Sequence, residues 1–146
     1  MKAPYILAVL LLAGSAALAH QGVKNSAVKA RMDSMVVQNK AVETLGQMAK
    51  GTTAFDVDQA RAALLELRKA AAETPDLFAA PEQDPKSEAL PLIWEEFDAF
   101  TAHAATLEAE AAALSQTLVS KDDLPGALRS IGQACSACHR DYRASR

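Results

Sequence analysis

The chain has little of what builds sheets or membrane spans. Aromatic residues make up 5% of it, and its six glycines are scattered. Valine and isoleucine are sparse beyond the N-terminus. No stretch reads as a strand, which argues against a sheet-based fold. Beyond the first residues, no segment is long and apolar enough to cross a bilayer. Neither sign of charge dominates: 15 Lys and Arg stand against 18 Asp and Glu, a formal net charge of −3. This mild acidity argues against nucleic acid and anionic membranes as partners, and it is compatible with a basic protein partner. Alanine, by contrast, is abundant, and such a composition favours helix throughout.

The first residues carry an export signal. Lys2 supplies a short positive region, residues 6–12 are apolar, and Ala17-Leu18-Ala19 is an A-x-A cleavage site. Residues 1–19 therefore read as a cleaved secretory signal peptide, with an uncleaved anchor as the alternative. Cleavage removes Lys2, so the mature chain is one unit more negative than the precursor. Residues 20–146 suit a single domain without stable membrane insertion. In a bacterium the address is the periplasm.

Cysteine is almost absent, and both cysteines fall in Cys135-Ser136-Ala137-Cys138-His139. C-x-x-C-H is the signature of covalent haem c attachment. Two thiols add to the two vinyl groups of haem, and the adjacent imidazole binds the iron. On a helix, positions i, i+3 and i+4 share a face, so the three groups can reach one planar cofactor. A thioredoxin-like dithiol expects a βαβ context that is missing here. A structural zinc needs about four ligands, and only His20 and His103 remain, neither at ligand spacing. A plain disulfide leaves His139 unexplained.

Four helical stretches are readable. The first spans residues 26–50 and stops at Gly51, with Val28, Met35, Val42 and Ala49 on a seven-residue repeat and Met32, Leu45 and Met48 between them. The second, capped by Asp56 or Asp58, runs to about residue 72 on Ala60, Ala63, Leu64, Leu67 and Ala71. Residues 74–86 hold Pro75, Pro81 and Pro85 and read as a loop that can fold over a cofactor edge. The third helix runs from Pro91 to about Val119. The fourth opens at Asp122 or Asp123, with Pro125 in its first turn. Short first and last connections predict an all-α, antiparallel up-down-up-down four-helix bundle, with covalent haem near the C-terminal helix. Buried haem would supply apolar volume that small aliphatics leave missing.

These residues together resemble the cytochrome c′ and cytochrome c-556 family. The likeness rests on the C-terminal C-x-x-C-H, on Arg31 with Met35 four residues on, on Ile93-Trp94 with Phe100 beyond, and on the proline-rich loop. The family divides at the Met35 position. Its c′ members usually carry a bulky apolar residue there and hold five-coordinate iron, whereas its c-556 members carry a ligating methionine. The resemblance thus implies one haem c bound through Cys135 and Cys138, with His139 and Met35 as axial ligands in a low-spin, six-coordinate site. Met32 is the competing ligand, and a packing role is the alternative for Met35. Met48 is too far along the helix for the same iron.

Arg31 and Arg143 resemble family arginines near the haem. A propionate contact is weighed against a solvated helix charge for Arg31, and a proximal place one turn after His139 is weighed against a frayed basic tail for Arg143. Phe100 would line the pocket, along with Trp94 and Phe97. His103 is expected to be exposed. Glu95, Glu96 and Asp98 form a solvated face, and no catalytic site is read. The implied function is single-electron transfer between periplasmic redox proteins, without enzymatic turnover. A c′-like protein binding nitric oxide or carbon monoxide is the alternative, and a haem-free exported bundle with a disulfide or metal is a remote one. The family often pairs through its first two helices, so a homodimer stands beside the monomer.

Overall fold

A computed structural model describes residues 22–145. The signal-peptide reading of residues 1–19, and His20, lie outside the described residues. Among the described residues four long helices build the fold: α1 (Ser26–Lys50), α2 (Val57–Leu77), α4 (Phe97–Thr117) and α5 (Leu124–Tyr142). A single-turn helix, α3 (Leu92–Glu95), precedes α4, and a 3₁₀ turn at Lys121–Asp123 leads into α5. They pack as the expected antiparallel bundle.

The helix ends follow from local chemistry. Asn25 caps α1 by accepting the Val28 N–H at 3.0 Å. The helix stops at Gly51, whose φ of 78° lies in the left-handed region that favours glycine. Asp56 caps α2 through the Gln59 N–H at 2.8 Å. Asp123 accepts the Val119 and Ser120 N–H groups at the turn before α5, where Pro125 occupies the first turn.

Two boundaries differ from expectation. Helix α2 runs through Pro75 to Leu77 rather than ending near residue 72. A proline in a last turn removes one helical hydrogen bond but leaves the terminal carbonyls free, and here Arg31 takes the Leu77 carbonyl. The third helix is broken at Glu96, which has φ −121° and ψ 41°. Tertiary contacts hold the break: Trp94 donates to the Phe78 carbonyl on one side, and Tyr142 donates to the Glu96 carboxylate on the other.

The core is divided. The larger cluster holds Leu45, Met48, Leu64, Leu67, Leu118, Leu124 and Ile131, all fully buried, with small alanines between. Each such side chain contributes about 1.5–3 kcal/mol of apolar burial. The smaller cluster is aromatic, built from Phe78, Ile93, Phe100 and Tyr142. On α1 the buried stripe is Val28, Arg31, Ser34, Gln38, Ala41, Leu45 and Met48. The heptad residues Met35, Val42 and Ala49 lie on its shoulder, half-buried. Three polar residues occupy interior positions, which displaces the apolar repeat from the centre of the face.

Candidate haem site

Cys135 and Cys138 stand one turn apart on α5, both half-buried, and they are not joined by a disulfide. They face different neighbours. Cys135 packs against the large aliphatic cluster, and Cys138 packs against the aromatic one. The pair thus marks the seam where the two parts of the core meet. Burial raises the Cys135 thiol pKa, and burial, then Cys135 and Asp141, pushes Cys138 up to about 11. Both are neutral thiols at neutral pH.

His139 follows at the exposed side of α5. Partial burial of the imidazole and the nearby charge of Arg143 lower its pKa, and Glu88 opposes them. The ring is thereby biased toward the neutral form that a metal needs. Two half-buried thiols, a neutral imidazole and thioethers on a neighbouring helix form a donor set that fits a covalent haem. No group of three or more His, Cys, Asp or Glu side chains that could hold a metal ion occurs among the described residues.

Met32 and Met35 on α1 are half-buried, and neither belongs to the two apolar clusters. Met48 is fully buried inside the larger one. Helix α1 packs chiefly on α2 and only lightly on α5. The side of the bundle between the C-x-x-C-H helix and the methionine helix is therefore the less closely packed one.

Arg31 is not a solvated helix charge, because it is 3% exposed. Its Nε, Nη1 and Nη2 donate to the carbonyls of Leu77, Glu82 and Ala80 at 2.8, 2.7 and 2.5 Å. The proline-rich loop is strapped to the start of α1. Asp84 accepts the N–H groups of Lys24 and Asn25, and the Asn25 amide donates to Glu82.

Phe100 is buried at the centre of the aromatic cluster, 4.9 Å from Phe78 and 5.4 Å from Tyr142 between ring centroids. Arg143 is exposed, but the tail around it is not frayed. Its side chain pairs with Glu88 at 2.7 Å, and the backbone of residues 142–144 bonds to residues 88–90 around an Ala89–Arg143 bridge. His103, expected to be exposed, is half-buried and sits edge-on to Tyr142 at 5.9 Å. Glu95, Glu96 and Asp98 are exposed as expected. Tyr142 is buried on the side of α5 that its spacing from Cys135 and Cys138 predicts, whereas Phe78 and Glu88 carried no signal in the sequence.

A helical bundle carrying paired thiols and an imidazole near its C-terminus defines a class of haem protein, and comparison with known proteins gives the family. Residues 26–143 match the family model for cytochrome c′. The chain belongs to the cytochrome c′ family, whose cofactor is covalent haem c. It is 34% identical over 115 residues to cytochrome c-556 of Agrobacterium tumefaciens, a match covering 78% of this chain and 91% of the relative. It is 37% identical over 122 residues to cytochrome c-554 of Cereibacter sphaeroides, covering 80% and 79%. Among solved structures, cytochrome c556 of Rhodopseudomonas palustris superposes with a TM-score of 0.76 at 26% identity, covering 83% of this chain and 98% of that one. Cytochrome c′ of the same organism gives 0.77 at 26%, covering 84% and 99%.

No helix among the described residues is long and apolar enough to cross a membrane.

Proposed function

We propose that the mature chain is a periplasmic electron carrier of the low-spin branch, passing single electrons between redox proteins without enzymatic turnover. The bound haem supplies a one-electron iron couple. Cys135 and Cys138 would tether it at the seam of the core, and His139 would ligate the iron from α5. Met35 would complete the ligand set from α1. A thioether is a soft, neutral ligand that favours the reduced metal and raises the potential. With both His139 and Met35 bound, the iron would keep one ligand set in both oxidation states, which suits outer-sphere transfer. The aromatic cluster around Phe100 excludes water beside Cys138.

The observation that carries this reading is the contrast among the methionines. Met48 is core, whereas Met35 lies half-buried outside both clusters, on the helix that α5 leaves loosely covered. Residues 1–19 supply the export signal, and residues 20–146 form the cytochrome domain. The protein works as a monomer or as a pair through α1 and α2, the helices that expose Val37 and Leu65.

A second reading has its own support. A nitric oxide complex of a cytochrome c prime variant from Alcaligenes xylosoxidans superposes at a TM-score of 0.70 and 25% identity, covering 82% of this chain and 94% of that one. Visible spectra of the oxidised and reduced holoprotein decide between the two. A narrow reduced α-band with a far-red sulfur-to-iron band when oxidised supports the carrier. A broad high-spin spectrum, with ready carbon monoxide binding, supports gas binding and sinks Met35 as ligand. A haem stain that fails to survive denaturation would sink both.

A further inference from the structure

Burying an arginine costs desolvation, and its contacts must offset that cost. Arg31 meets this by engaging one short loop from three directions. Its three donors hold the carbonyls of Leu77, Ala80 and Glu82. Its guanidinium carbon lies 4.7 Å from the Phe78 ring centroid and 5.3 Å from that of Trp94. Trp94 in turn donates its indole N–H to the Phe78 carbonyl at 2.7 Å. A guanidinium spreads its donors over three nitrogens of one plane and stacks flat on rings, whereas a lysine ammonium offers its donors from a single point and does not reproduce that geometry.

Arg31 and Met35 are four residues apart on α1, so they lie one above the other on the same side of the helix. Met35 is half-buried and outside both apolar clusters, so neither cluster fixes its side chain. Helix α1 is held chiefly by α2 and only lightly by α5. The N-terminal part of α1 is held to the proline-rich loop by the Asp84 and Glu82 contacts at residues 24–25 and by the Arg31 fork. We propose that Arg31 is a positioning residue for Met35: by clamping α1 to residues 77–82, it sets the helix rotation that would let the Met35 thioether serve as an iron ligand. The inference rests on Met35 as the axial ligand.

The test uses the holoprotein, with Arg31→Lys, Trp94→Phe and a core control, Leu67→Ala, whose side chain is fully buried in the aliphatic cluster. Two readouts are followed: the far-red sulfur-to-iron band of the oxidised protein, and the carbon monoxide affinity of the reduced one. Carbon monoxide needs the form with Met35 released, so apparent affinity scales with the population of that form. Arg31→Lys is expected to weaken the band and raise carbon monoxide affinity by about tenfold or more. Trp94→Phe removes one bond to the loop, keeps a stacked ring, and moves both readouts the same way by less. Leu67→Ala lowers the melting temperature and leaves both readouts unchanged.

The proposal is overturned if Arg31→Lys keeps the band and stays within about twofold of the parent affinity, whatever its melting temperature. It is equally overturned if Leu67→Ala shifts both readouts as much, since general loosening then explains the effect. A parent protein without the band removes Met35 as ligand, and this inference with it. A parent with the band beside an unaltered Arg31→Lys removes only the clamp.

Discussion

Replacing the three methionines of α1 one at a time separates ligation from packing, because the structure places them differently. Met48 is fully buried in the aliphatic cluster, so Met48→Ala leaves a cavity among side chains that cannot all collapse into it. The expected cost is about 2–5 kcal/mol of unfolding free energy. The far-red band of the oxidised protein should be untouched. Met35 is half-buried and belongs to neither cluster, so truncating it removes roughly half the apolar contact, about 1–2 kcal/mol by area. Its effect falls on the iron instead: the band disappears and the spectrum turns high-spin. Met32→Ala keeps the band at a similarly small packing cost. The assay is a denaturant titration beside an oxidised absorption spectrum on each holoprotein. The reasoning is refuted if Met35→Ala retains the band, or if Met48→Ala extinguishes it in a protein that is still folded.

Four further outcomes are expected. Replacing both Cys135 and Cys138 with serine should abolish the haem stain that survives denaturation, as checked on a denaturing gel. Backbone N–H donation from Lys86, then Lys24 and Asn25, lowers the Asp84 pKa below its unfolded value, so its contribution to stability is present above the usual carboxylate range and fades as pH falls through the folded pKa. Thermal melts of Asp84→Asn should accordingly lie below the parent at neutral pH and converge with it in acid. Tyr142→Phe removes the bond to Glu96 but keeps the ring among Phe100 and His103, and should cost about 0.5–1.5 kcal/mol by chemical denaturation. Gly51→Ala forces a side chain into a left-handed position and should cost about 1 kcal/mol in the same assay.

What the sequence disclosed depended on how far apart the deciding residues lie. The limits of α1, the Asp56 cap and the Pro125 start are written within a few residues of each feature, and the structure has them there. Pro75 misled because a proline counts against a helix interior but much less against a last turn whose carbonyls find other donors. The break at Glu96 has no glycine or proline to announce it, since its partners, Phe78 and Tyr142, are distant in sequence. Arg31 was the largest departure. Its partners lie 46 to 51 residues away, so periodicity alone placed a charged side chain outside the core. The C-x-x-C-H motif was legible in full because its chemistry is local. The division of the core on either side of it was not, because that division needs the bundle.

The aromatic cluster draws Phe78, Ile93 and Phe100 from the middle of the chain and Tyr142 from almost its end. On the export proposed above, a chain crossing a membrane N-terminus first would deliver that tyrosine after the residues it packs against. The aliphatic cluster can begin to gather earlier, since α1, α2 and α4 supply much of it. Closure of the second cluster would then come late, leaving Cys138, which packs against it, open in the meantime. That order of emergence would give an interval during maturation when the thiols are accessible and much of the bundle is already able to form.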